Sequence, residues 1–89
     1  MEDLFIGTVE RLDGEMGENG KRSGEVVLSL FTSEGEQLRS RATLAVEQYA
    51  LADKAHMTDG EYVVVAGKLH PGRQPRLLSD IRSFELMPK

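Results

Sequence analysis

Residues 60–86, GEYVVVAGKLHPGRQPRLLSDIRSFEL, constrain the fold more than any other stretch of this chain. Residues 61–69 are rich in valine and interrupted by Gly67, which reads as a strand. Residues 76–86 read as a second strand, and Pro71, Gly72, Arg73 and Pro75 mark a basic turn between them. Val63, Val65 and Gly67 fall on one face of the first strand, Tyr62, Val64 and Ala66 on the other. Apolar residues on both faces imply burial on both sides for part of its length. In the second strand the step from Leu78 to Ile81 to Phe84 breaks the period of two and places a bulge near Ser79-Asp80. A hairpin of this kind is marginal alone and needs further strands to cover it.

Three more strands are available upstream. Residues 4–12, LFIGTVERL, form the first, and Gly7 inside it signals a bulge or sharp bend. Residues 13–24, DGEMGENGKRSG, have no apolar period and read as a flexible loop. Two motifs fail there. A phosphate-binding loop needs Gly where Glu15 stands and Ser or Thr where Arg22 stands. A calcium loop starting at Asp13 needs a bidentate Glu where Gly24 stands.

Residues 25–32 and 37–44 form a hairpin whose register decides which side chains face out. A two-residue turn at Glu34-Gly35 would set Leu30 opposite Arg39. A three-residue loop, Ser33-Glu34-Gly35 with Gly35 left-handed, sets Leu30 opposite Leu38 and Leu28 opposite Ser40. Only the second keeps one face apolar. Val26, Leu28, Leu30, Leu38, Ala42 and Leu44 then face the core, while Val27, Ser29, Phe31, Gln37, Arg39, Arg41 and Thr43 face out. Phe31 lies diagonal to Arg39, within contact range.

Residues 45–57, AVEQYALADKAHM, make the one good helix. Tyr49, Ala52 and His56 lie on one stripe, with Ala45 and Val46 beside it. No Ser, Thr, Asp or Asn precedes the first turn, so its start is weakly specified. Thr58-Asp59-Gly60 ends it, and Met87-Pro88-Lys89 is a short tail. Tyr49 and Tyr62 are both expected in the core at the bottom of a barrel, each with a wet hydroxyl.

The order strand, strand, strand, helix, strand, strand resembles the oligonucleotide/oligosaccharide-binding (OB) fold. The resemblance rests on Gly7, on the helix, and on Val63-x-Val65-x-Gly67-x-Leu69 followed by Ile81-x-x-Phe84. It implies a mainly β, five-stranded Greek-key barrel with one helix between strands 3 and 4. One domain spans residues 1–89, structured from about residue 4 to 86, because a chain of 89 residues holds one core.

In that fold, ligands bind across the second and third strands and the loops flanking them. The resemblance therefore points to Phe31, Arg39 and Arg41 on the sheet, Lys21 and Arg22 in the first loop, and Arg73 and Arg76 with His70 in the last. An aromatic ring among guanidinium groups suits single-stranded nucleic acid: the ring stacks on a base and the cations follow phosphates. The competing reading is a solvated face on which Arg39 and Arg41 pair with Glu25, Glu34 and Glu36. The expected function is weak single-stranded nucleic-acid binding without catalysis. The alternative is a protein-interaction or homo-oligomerising module using the same face or a strand edge.

Composition bounds the rest. The net charge of −4 argues against a general polyanion binder, although residues 60–89 hold five Lys/Arg against three Asp/Glu. With no cysteine there are no disulfides or thiolate metal sites, and a reducing cytoplasm is expected. No run of about 18 apolar residues suggests a membrane span, and residues 1–11 lack the pattern of a secretory signal. His56 and His70 lack a second ligand at helical spacing. No catalytic residue, metal or small-molecule cofactor is expected.

Overall fold

The computed structural model describes residues 3–32, 34–58 and 61–87. Six strands and one helix follow in order: β1 (Asp3–Leu12), β2 (Glu15–Met16), β3 (Arg22–Phe31), β4 (Gln37–Leu44), α1 (Val46–Met57), β5 (Val63–Leu69) and β6 (Arg76–Leu86). β1 pairs antiparallel with both β3 and β5, β3 with β4, and β5 with β6. The parallel contacts Ser40–Arg76 and Arg41–Leu77 between β4 and β6 close the circle. The five long strands thus form a closed, mainly β barrel with one helix, compatible with an OB-like barrel.

The helix lies between β4 and β5, not between the third and fourth strands as expected. The difference arises in residues 13–24, expected to be a strandless loop. There Glu15 and Met16 pair with Ser23 and Arg22, so β2 and the start of β3 extend the β1–β3 hairpin. Gly17 N–H to Lys21 O (2.8 Å) and Gly20 N–H to Gly17 O (3.1 Å) close its tip, where Gly20 takes φ 76°.

The β3–β4 register is the one that keeps the core face apolar: Leu30 opposes Leu38, Leu28 opposes Ser40, and Val26 opposes Ala42. Gly35 has φ 86°, as the three-residue loop requires; Ser33 lies outside the described residues. The six predicted inward residues are all buried, together with Phe5, Val9, Val63, Val65, Leu78 and Phe84. Burying one such aliphatic side chain contributes about 1.5–3 kcal/mol. The bulge expected near Ser79-Asp80 is present: the β5–β6 register shifts between Ala66 and Lys68, and Asp80 has φ 52°.

Gly7 serves a different purpose from the one expected. The β1 bulge falls between Val9 and Arg11, at Glu10. A Cβ on Gly7 would sit 2.1 Å from the Ser29 carbonyl oxygen, so this glycine permits close approach of β3 rather than a bend.

α1 covers one end of the barrel, packing chiefly on β3 and β1 and burying Tyr49, Ala52 and Ala55. Its first turn lacks a side-chain oxygen at Ala45, but the Gln48 side chain accepts the Ala45 N–H at 3.1 Å. That supplies one half of a capping box. Asp59-Gly60 of the expected helix stop and Pro88-Lys89 of the tail lie outside the described residues. Among the described residues no helix is long and apolar enough to cross a membrane.

Candidate binding face

Outward-pointing side chains of β1, β3 and β4 build the site. Phe31 ends β3 and is 38% exposed. Its register neighbour on β1 is Ile6, whose neighbour on β5 is Val64. Leu4, two residues before Ile6 and on the same face, is 67% exposed. Tyr62, just before β5, is 42% exposed, and its ring centroid lies 6.4 Å from that of Phe31 at an interplanar angle of 52°. Tyr62 is therefore not a core residue. The parity that sets it on the face of Val64 and Ala66 was visible in the sequence, but its apolar ring argued for burial.

The outward face of β3 is also less open than alternation implies. Val27 and Ser29 point away from the core, yet they are only 2% and 1% exposed. Arg39, opposite Ser29 on β4, sends its guanidinium across β3 to β1, where Nε donates to Glu10 Oε2 at 2.8 Å. Gln37 Nε2 donates to Ser29 Oγ over the same strand. These long polar side chains thus cross β3 on its outward side, as amphipathic side chains do when their stems lie along apolar surface. Arg39 thus pairs with Glu10, not with Glu25, Glu34 or Glu36, and turns from Phe31. Arg41 opposes Val27, is exposed, and makes no ion pair among the described residues.

The β5–β6 loop borders this face. Gln74 Oε1 accepts the Arg39 backbone N–H at 2.9 Å, so the loop is tied to β4 beside the arginine. Arg73 is exposed. Arg76 is half-buried, donates from Nε to His70 O at 2.8 Å, and lines an open cleft with Leu4, Phe31, Glu34 and Glu36. His70 Nε2 lies 2.6 Å from Ser79 Oγ, a structural contact within the hairpin.

Lys21 and Arg22 stand apart. They border a separate hollow against α1, lined by Met16, Val46, Tyr49, Glu47 and Asp53. The strand from Arg22 to Phe31 has ten residues, about 30 Å of extended chain at roughly 3.3 Å each. The fold therefore groups Phe31, Arg39, Arg41, Arg73 and Arg76 and leaves Lys21 and Arg22 at the far end of the same strand. Residues the sequence reading missed are Tyr62, Ile6, Leu4 and Glu10. Glu10 gave no signal, because its partner lies 29 residues away.

His56 Nδ1 lies 3.1 Å from the Val9 carbonyl, which only accepts, so the ring donates there and anchors the last helical turn to β1. Among the described residues no three His, Cys, Asp or Glu side chains cluster as a metal site. No family model matches the chain, and no curated protein or solved structure matches it either.

Proposed function

We propose that this chain is a non-catalytic binding module in a Greek-key OB barrel, and that its β1–β3–β4 face takes single-stranded nucleic acid. One observation carries the reading: two exposed aromatic rings, Phe31 and Tyr62, pack at a tilt at the end of a face whose β4 side carries the cations Arg39 and Arg41 further along. Rings already in contact leave no slot between them, so bases stack on their outer surfaces while guanidinium groups follow the phosphates. Ile6 floors this platform, which centres the base-stacking part of the face on β1. Arg73 and Arg76 extend the cationic track at one end. Lys21 and Arg22 lie far enough away to meet only a longer strand. Glu34 and Glu36 beside Phe31 weaken the attraction for phosphate and fit a low affinity. The cysteine-free sequence suits a cytoplasmic setting.

Fluorescence anisotropy with a labelled oligothymidylate at low salt tests this reading. Phe31→Ala and Tyr62→Ala are each expected to weaken binding about fivefold to a hundredfold, from about 1–3 kcal/mol of stacking per base. Their salt dependence should stay near that of the unaltered protein. Failure of the unaltered protein to bind would remove the proposal.

A second reading, a protein partner or homodimer on the same face, is favoured by the aliphatic residues Leu4 and Ile6 flanking Phe31. Aromatic and aliphatic side chains together suit an interface core. Sedimentation velocity separates the two: Ile6→Glu would abolish a self-associated species if this face forms it.

A further inference from the structure

Arg39 is the best-placed cation on the face, yet it is already engaged. We infer that Glu10 stands in for the ligand's phosphate, so that nucleic-acid binding exchanges one carboxylate for one phosphate on Arg39. This inference rests on the nucleic-acid reading proposed above.

Three features support the exchange. The Glu10–Arg39 pair is short, 2.8 Å, but its side chains are 35% and 54% exposed, so a ligand oxygen can reach it. Glu10 sits at the β1 bulge, where the extra residue re-aims a side chain out of the regular alternation. The Arg39 backbone is fixed independently by its register with Ser29 and by Gln74, so only the guanidinium has to turn. Carboxylate and phosphate oxygens offer a guanidinium the same charge-assisted hydrogen bond. The swap is therefore near balance, and a modest ligand can drive it.

The exchange has a second effect. While Arg39 reaches Glu10 it crosses β3, whose outward-pointing Val27 and Ser29 are almost fully buried. Releasing the guanidinium opens that stretch of β3, while Ser29 Oγ stays engaged by Gln37 Nε2. Val27 then offers apolar contact to a base. Glu10 in this account sets how much affinity the face can reach, and it disfavours any anion that does not land on Arg39.

A double-substitution cycle tests the inference, with Glu10→Gln, Arg39→Gln and the combined variant, each measured against the labelled oligothymidylate at low salt. Both positions are substantially exposed and glutamine keeps their size, so folding, checked by near-UV circular dichroism, is expected to persist. Glu10→Gln should tighten binding. The gain should be about two- to fivefold larger with Arg39 present than with Arg39→Gln, the range expected when binding must break an exposed pair. It should also steepen the salt dependence by up to about one unit, since Arg39 then meets phosphate without a resident anion. A gain equal in both backgrounds means that Glu10 acts only by its general charge, and overturns the inference while leaving the face intact. No gain, or binding weakened by Glu10→Gln, overturns it as well. If none of the four proteins binds, the nucleic-acid reading fails and this inference goes with it.

Discussion

The helix-covered end of the barrel and the outer face at the start of β5 each hold a tyrosine, used in opposite ways. Tyr49 is 2% exposed, and its hydroxyl accepts the Gly14 N–H at 2.9 Å, locking the helix to the β1–β2 link. Tyr62 is 42% exposed, and its ring lies tilted against that of Phe31, which is itself exposed. The first converts an aromatic side chain into stability, because a buried hydroxyl with a partner costs little. The second leaves apolar area in water, which soluble surfaces tolerate singly but seldom gather into patches without a use. The fold and the proposed binding are thus assigned to different sides of the barrel wall.

Substitutions sharpen or break that contrast. The largest effect belongs to the core side. Leu44→Ala, at a residue 1% exposed beside the helix, should destabilise the chain by about 2–5 kcal/mol in urea unfolding. Phe31→Ala should change stability by under about 1 kcal/mol, while oligonucleotide affinity falls by about 1–3 kcal/mol. A large loss of stability there would make Phe31 a core residue and blur the contrast. Tyr49→Phe removes the acceptor for Gly14 N–H, at a cost of about 0.5–1.5 kcal/mol in thermal unfolding and without effect on binding. The smallest and opposite change is expected at Ser40, whose buried Oγ has no hydrogen-bond partner among the described residues. Ser40→Ala should leave stability unchanged or raise it by about 1 kcal/mol, measured by thermal unfolding.

The sequence made the inner half of this contrast legible and left the outer half partly hidden. Alternation places Leu28, Leu30 and Leu38 together because a one-residue slip would expose them, so the hairpin register follows from hydrophobicity alone. The broken period in β6 marks its bulge for the same reason. Arg39 reaches Glu10 across another strand, a contact no local pattern encodes. β2 has the same origin. Glu15 and Met16 become a strand only because the β1–β3 hairpin continues past the barrel. Tyr62 shows a third limit: period two gives its face, but only the closed barrel shows that this face stays open. Of the proposed binding residues, Phe31 and Arg41 lie on the outer face as alternation requires, whereas the distance of Lys21 and Arg22 from Phe31 follows from the length of β3, which begins at Arg22.

An amide NMR titration of the labelled protein with short single-stranded oligonucleotides, at low salt and again at high salt, tests the central claim most directly. The account predicts salt-sensitive shifts centred on Ile6, Phe31, Arg39, Arg41 and Tyr62, spreading to residues 73–76, and reaching Lys21 and Arg22 only with longer strands. No shifts at low salt, where phosphate attraction is strongest, would contradict it. Shifts confined to the helix and the hairpin tip would contradict it equally.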